Sequence, residues 1–384
     1  IQKKIYKNSI FIGIKGKQFD GNLFAKEAIK NKATLAISNK KYNNPMIAFN
    51  KNPLDFFNIL CSVFRKSLDA NNIAITGSSG KTSVKELIGY SLGKLEKTYS
   101  SKKSLNNKYG VPLSLFNTPQ STKYVVLEVG MNKIGEIDYL SKLIKPNLGL
   151  ITNISYAHIE NFKDLSHIAK AKSEIIENII PGGTMVINKD DNFYNYFLQK
   201  AKIRGLKVIS FSKKDKKANI VFLKQKKINN NYLLKFKINN QIKIFSISKD
   251  LIFYKENILA SISILTNYFE IEKINKNLFK NFTIPKSRGS IIKYNLGSKK
   301  IIIIDESYNS NPLSFKFALE KFDTSFKKNH KKYLLVGNML ELGKHSKKLH
   351  EQIAKYINKT TINKTYFYGN LTKHTFNKLK PQIR

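Results

Sequence analysis

Cysteine occurs once, at Cys61, so no disulfide can close within the chain, and a reducing cytoplasm is the expected compartment. No apolar run approaches the roughly 20 residues that a bilayer-spanning helix needs, and the opening IQKKIYKNSIF has no sustained hydrophobic region followed by a small-residue cleavage site. No membrane span is expected. The first residue is Ile1 rather than methionine, as for a sequence that begins inside a longer chain. Acidic residues are few, 26 against 68 Lys and Arg, leaving a formal charge of +42. Such a surplus invites a nucleic-acid reading. Arginine is scarce, however, and the lysines scatter through NKKYNN, KKDKK and KQKKINNN beside Asn and Ile, as drift toward AT-rich codons would leave them. Nucleic-acid binders favour arginine and gather charge on one face. No nucleic-acid partner is expected, although a basic surface still attracts small acidic substrates.

What remains is an ordinary globular composition, 41% hydrophobic and 11% aromatic over 384 residues, enough for two or three domains. Strand-like IFIGI (10–14) and TLAIS (34–38) flank a helical pattern at 22–31, with a KGKQFDG loop between, which predicts a small αβ domain ending near residue 51. Predicted strands at 73–76, 124–129, 148–152, 184–187 and 207–211 then alternate with helices at 82–95, 107–116, 134–144, 164–180 and 191–204. This is the pattern of a mostly parallel sheet covered on both faces. Residues 219–248 alternate apolar and polar with Asn-rich turns, predicting appended antiparallel strands. After a helix at about 255–270 and the IPKSRGS punctuation, IIIID, YLLVG and TYFYG alternate with helices from Leu313 and near 346–357, predicting a third αβ domain from residue 297. The fold class is α/β, with no internal repeat.

The segment IAITGSSGKTSVKEL sets a β-branched run, a glycine-rich turn and a helix in succession. Glycine at both ends lets the main chain curl around phosphate, and the helix turns its positive N-terminal end to the anion. Residues Thr76, Gly77, Ser78, Ser79, Gly80, Lys81, Thr82 and Ser83 are therefore read as a nucleotide triphosphate cradle, with Lys81 neutralising phosphate and Thr82 on Mg²⁺. The general spacing would place glycine at Ile75; the shorter T-G-x-x-G-K-T-S stands instead. A structural glycine turn is the alternative reading.

Glu128, near the end of YVVLEV, lies where open α/β sheets place ligands and is read as a second Mg²⁺ oxygen donor or, more blandly, as a solvent-facing strand end. His158 follows the next strand, as a ligand or a structural loop histidine. On helix 164–180, capped by Asp164 and ended by Pro181-Gly182-Gly183, Ile168, Lys172 and Ile176 are four apart, so Lys172 projects from the apolar stripe while Lys170 faces water. A buried amine loses its proton readily and then reacts with CO₂ to a carbamate, an oxygen ligand. A lysine snorkelling over apolar surface is the other reading. Asp305, Glu306, Tyr308, Asn309 and Asn311 close a strand before a helix near Pro312 and can contact ribose or phosphate across a cleft, which Arg288 in the linker could also reach, as a phosphate cation or a structural arginine.

TGSSGKTSVKE, SLNNKYGVPLSL, LEVGMNKIGEI, AHIENF, AKAKSEI, DESYNSNP and LLVGNMLELGKHSKKLH, in this order over nearly the whole chain, resemble the Mur ligases. The resemblance implies a UDP-substrate domain (1–51), a central ATP-binding P-loop domain (52–296) and a Rossmann-like C-terminal domain (297–384) that closes over the site. N-N-x-x-G-V-P and S-Y-N-x-N-P resemble the member that joins D-alanyl-D-alanine to UDP-N-acetylmuramoyl-tripeptide in peptidoglycan synthesis, with ATP and Mg²⁺, through an acyl phosphate. It further implies that Lys81 and Arg288 serve the transferring phosphoryl group, that Thr82 and Glu128 hold one Mg²⁺, and that His158 and a carbamylated Lys172 serve a second. Asn106 and Asn107 fall where the family contacts substrate, and Asn257, Glu306 and Asn309, with Arg288, where it contacts nucleotide. Two positions depart from the pattern: Ala260 replaces a second Asn near the adenine, and Asn22 replaces His in the D-G-H loop. The family's segment before residue 4 and the closing strand and helix of its third domain are missing, so a poorly active fragment is expected. A monomer is expected. The alternatives are another Mur-type ligase adding one amino acid, a folylpolyglutamate-synthase-like ligase, and a P-loop ATPase acting on nucleic acid.

Overall fold

A computed structural model describes residues 7–16, 18–229, 231–285, 288–297, 299–326 and 330–384. The expected loop and linker positions Lys17, Asn230, Lys286 and Ser287, and the first six residues of the expected N-terminal domain, lie outside the described residues. The chain begins with β1 (Ile10–Ile12), α1 (Ala25–Lys30), β2 (Leu35–Ser38) and β3 (Ile47–Phe49), a parallel three-stranded sheet packed on Ala25. A second run follows: α2 (Pro53–Ser67), β4 (Asn71–Thr76), α3 (Lys81–Gly93), β5 (Thr98–Ser100), α4 (Gly110–Phe116), β6 (Tyr124–Glu128), α5 (Glu136–Ile144), β7 (Leu148–Ile151), α6 (Leu165–Glu177), β8 (Thr184–Asn188), α7 (Tyr194–Ile203), β9 (Lys207–Ser212), β10 (Ile220–Ile228), β11 (Asn231–Ile238), β12 (Gln241–Ser248) and α8 (Lys255–Tyr268). Its nine strands form one sheet in the order β12-β11-β10-β9-β8-β7-β4-β6-β5, parallel from β5 to β10 and antiparallel through β11 and β12.

Alternation along the strands feeds two cores. Ala74, Val125 and Leu127 face α4, α5, α6 and α7, whereas Ile73, Ile75 and Val126 face α3 and α8. β4 has β6 on one side and β7 on the other, so successive crossovers leave in opposite directions from its C-terminal end and open a crevice there, where ligands of doubly wound sheets bind. The remaining elements are β13 (Ser290–Leu296), β14 (Lys299–Asp305), α9 (Pro312–Ser325), β15 (Tyr333–Gly337), α10 (Ser346–Ile357), β16 (Lys364–Tyr368) and the short α11 (Lys373–Phe376). β13 and β14 form an antiparallel hairpin; β15 and β16 pair in parallel. Among the described residues no helix is long and apolar enough to cross a membrane.

Some elements differ from expectation. β3, β5 and β13 are strands that periodicity did not reveal, the first two being only three residues long and the third held by its hairpin partner. The helix expected from 107 starts at Gly110, because the Asn107 side chain takes the amides of Tyr109 and Gly110 (3.1 and 2.9 Å) and turns the chain into it. α6 keeps its Asp164 cap but ends at Glu177, three residues before the expected end. There the Asn178 amide bonds the Ser141 hydroxyl and the Asp138 carboxylate (both 2.9 Å), and Ile180 N–H turns to the Pro146 carbonyl (3.0 Å).

Candidate active site

The loop between β4 and α3 turns on two glycines. Gly77 (φ +146°) and Gly80 (φ +79°) occupy the left-handed half of the map, and a Cβ on Gly77 would strike the Thr152 hydroxyl. Lys81 folds back to donate to the Gly77 carbonyl (2.8 Å). The amides of Ser78 and Ser79 are already taken by the carbonyl and side-chain oxygens of Asn153 (2.8 and 3.0 Å). The first backbone bond of α3 runs from Val84 to Gly80 (2.9 Å), so the amides of Lys81, Thr82 and Ser83 precede its hydrogen-bonded ladder and point at the crevice. The donors available to phosphate are thus the first turn of α3 rather than the whole span from Gly77 expected from the motif. Ser78 to Thr82 line a cleft of about 810 Å³; Thr76 lies beneath it, its hydroxyl buried without a hydrogen-bond partner among the described residues.

Thr82 is the centre of an oxygen-rich corner. Its hydroxyl donates to one oxygen of Glu128 (2.8 Å) and lies 3.1 Å from the Ser104 hydroxyl, while the Asn106 amide holds the other Glu128 oxygen (2.7 Å). Glu128 is 1% exposed, so these contacts fix its rotamer. Arg288 reaches in from the segment after α8 and donates to the Thr82 and Ser104 hydroxyls (3.1 and 3.4 Å), its guanidinium stacked 4.1 Å over the Tyr308 ring. Two hydroxyls and a carboxylate are the hard donor set that Mg²⁺ prefers when phosphate oxygens complete its shell. Among the described residues there is no group of three or more His, Cys, Asp or Glu that could hold a metal ion.

His158 lines the cleft after β7, and its backbone adopts φ 59°, uncommon for a residue with a side chain. Burial and the neighbouring ammonium groups of Lys81 and Lys172 push its imidazole down to about 4. Glu341 lies 2.5 Å from Nδ1, but the contact misses hydrogen-bond geometry and its carboxylate is 43% exposed; the charge that opposes the depression is Glu136. Lys172 is buried on α6 as the stripe required, 1% exposed while Lys170 is exposed. Desolvation, then the Lys81 charge, hold its amine well below the ordinary lysine range, with Glu128 opposing. Lys81 is lowered too, by burial and against the pull of Glu128.

The C-terminal elements approach the same cleft. Asn309, Asn311 and Ser314 line it, and the Asn311 amide nitrogen donates to the Ser79 hydroxyl (2.8 Å) while its oxygen caps α9 at Leu313 and Ser314 (3.1 and 3.0 Å). Asn106 and Asn107 line it too. Glu306 does not join them. Its carboxylate turns toward the buried Lys321 ammonium (3.8 Å), which also bonds the Tyr254 hydroxyl (3.1 Å). Asn257 and Ser83, with Tyr254, line a separate small pocket behind the phosphate loop.

Residues 75–265 match the Mur ligase middle domain. The UDP-N-acetylmuramoyl-tripeptide–D-alanyl-D-alanine ligase of Buchnera aphidicola subsp. Baizongia pistaciae is 34% identical over 97% of this chain and 79% of its own length; that of Rickettsia prowazekii is 32% identical over 99% and 84%. The chain belongs to the Mur ligase family. Among solved structures, the UDP-N-acetylmuramoylalanyl-D-glutamyl-2,6-diaminopimelate–D-alanyl-D-alanyl ligase of Acinetobacter baumannii superposes with a TM-score of 0.81 at 25% identity, over 98% of this chain and 81% of that one. The MurF ligase of Thermotoga maritima in complex with ADP shares the fold, with a TM-score of 0.83 at 24% identity over 99% and 86%.

Within this Mur ligase, two side chains not singled out from the sequence, Asn153 and Ser104, brace the site, beside Asn311 of the S-Y-N-x-N-P segment. Asn153 restrains the phosphate loop, Ser104 completes the Thr82 corner and Asn311 links α9 to Ser79. Asn153 stands just past a strand in the same crevice, which was the available signal; for Ser104 the signal was its place at the head of SLNNKYGVPLSL.

Proposed function

We propose that this chain joins D-alanyl-D-alanine to UDP-N-acetylmuramoyl-tripeptide at the expense of ATP, forming an amide, ADP and phosphate in peptidoglycan synthesis. The observation that carries this reading is the meeting of Arg288, Thr82 and Glu128 over the phosphate loop, with Lys172 and His158 as close electrostatic neighbours of Lys81. The γ-phosphoryl group passes to the terminal carboxylate of the tripeptide. The dipeptide amine then attacks the acyl phosphate, and the tetrahedral intermediate expels phosphate. Lys81 and Arg288 neutralise phosphoryl oxygens that would repel the carboxylate, and the first-turn amides of α3 orient them. Thr82 and Glu128 would hold Mg²⁺, which supplies further positive charge to the triphosphate.

Lys172 is assigned as a carbamate: its neutral amine adds CO₂ and releases a proton, turning a cation beside Lys81 into an anionic oxygen ligand that, with His158, would serve a second Mg²⁺. An amine held low by burial and by Lys81 supports this reading. Asn106 and Asn107 are assigned to the acceptor substrate; Asn257, Glu306 and Asn309 to the nucleotide, of which Asn309 lines the cleft. The domains are placed at 1–51, 52–296 and 297–384, with β13 contributing to the third through its hairpin. The reaction is placed in the cytoplasm, in a monomer. Phosphate release measured with each substrate omitted in turn tests the function. Turnover that needs both the UDP-muramoyl tripeptide and D-alanyl-D-alanine is expected; turnover indifferent to the dipeptide, or dependent on polynucleotide, would overturn it.

A further inference from the structure

Lys85 is among the largest fully enclosed side chains of the molecule and takes no part in the reaction as derived. It sits on α3, one turn past Lys81, at 0% exposure. Burying an ammonium is unfavourable unless every N–H finds an acceptor. Here the ammonium donates to the Ser101 carbonyl and the Lys103 carbonyl (2.6 Å) and pairs with the Glu86 carboxylate (2.9 Å). Lys103 has φ 53°, a left-handed backbone that a side chain disfavours, so its carbonyl is aimed at Lys85 by a conformation that the ammonium contact helps to hold.

The pinned carbonyls lie directly before the residues that build the cation corner. Ser104 is the next residue, 3.1 Å from the Thr82 hydroxyl, and two residues further Asn106 fixes Glu128 at 2.7 Å. The far end of the loop is tied as well, because Gly130 N–H donates to the Asn106 carbonyl (2.8 Å). Thr82 and Lys85 share one helix, so a bond from Lys85 to the loop sets the distance between the two halves of the corner. We propose that Lys85 is a positioning residue that, by clamping the 101–103 turn to α3, holds Ser104, Asn106 and Glu128 in register with Thr82 for a divalent cation bound with nucleotide.

The inference rests on the phosphate-loop reading of this site, and its test does not need turnover. Mn²⁺ binding to the full chain, saturated with a non-hydrolysable ATP analogue, is followed by electron paramagnetic resonance, with the thermal midpoint of the nucleotide-free protein measured alongside. Lys85→Met is expected to weaken Mn²⁺ binding about tenfold, the size of loss seen when partners of metal ligands are removed. Lys85→Gln, which retains two N–H donors, should lie between Lys85→Met and the unaltered chain. In turnover, the metal requirement should rise. An unchanged Mn²⁺ affinity in a folded variant, with or without a lower midpoint, overturns the proposal, and Lys85→Gln alone decides it by the same outcomes if Lys85→Met does not fold. Loss of dipeptide dependence would overturn the ligase reading and leave this result standing.

Discussion

His158 offers a quantitative test of the site's electrostatics. The perturbation is acid, read by difference against His158→Asn. In the folded chain the imidazole titrates at about 4, against an ordinary 6.5, because burial and the charges of Lys81 and Lys172 disfavour its protonated form. As pH falls the unfolded state therefore binds the proton first. The stability tied to a neutral His158 is complete above about pH 7 and drains away between 6.5 and 4. That depression corresponds to a loss of about 2 kcal/mol at pH 5 and about 3 kcal/mol once both states are protonated. Urea unfolding at about pH 8 and pH 5 should show the unaltered chain losing that much more stability than His158→Asn. In CO₂-free buffer the ring resonance of His158, assigned by its disappearance in the variant, should titrate near the same low value. With bicarbonate, the midpoint should move upward, since a carbamate on Lys172 replaces a repelling cation by an anion. A midpoint at 6.5 or above in CO₂-free buffer would refute the reasoning: it would mean that the Glu341 contact at 2.5 Å outweighs burial and both lysines.

Lys172→Ala should abolish ligation with partial rescue by short carboxylates, and undiminished turnover would make this lysine structural. Gly77→Ala forces a methyl into Thr152 at φ +146°; it should cost about 1 to 3 kcal/mol and weaken ADP binding, read by denaturation and calorimetry. Asn311→Ala removes the cap of α9 and the bond to Ser79. It should cost about 1 kcal/mol of stability and raise the KM for ATP, whereas an unchanged KM would confine Asn311 to capping.

The parallel sheet was legible because its strands are fully buried and read as continuous apolar runs, and Lys172 because one polar residue interrupted a helical stripe. Local hydrogen bonding decided what periodicity could not. Asn107 shifts the start of α4, and Asn178 stops α6 before the Pro181-Gly182-Gly183 break that the sequence offers. Glu306 reads as a nucleotide contact from its place after a strand, but its direction depends on Lys321 and Tyr254, which are remote in sequence. Asn153 and Ser104 act through contacts between segments some twenty to seventy residues apart, a relation no local pattern encodes.

The signs of charge around the cleft finally explain why a chain of +42 need not bind nucleic acid. Lys81, Arg288 and Lys172 gather around one buried acid, Glu128, and burial first, then neighbouring like charge, depresses Lys81, Lys172 and His158. Such a site is unfavourable until anions enter. A triphosphate, a substrate carboxylate and CO₂ bound as carbamate each relieve part of that repulsion, so the pull on anions is strongest in the empty cleft and each bound anion weakens it for the next. Scattered surface lysines have no such coupling and are screened by salt. Raising ionic strength should therefore slow substrate capture far more than it weakens ATP already seated in the cleft, and equal sensitivity of the two would show that the enclosed cations are hydrated rather than mutually strained.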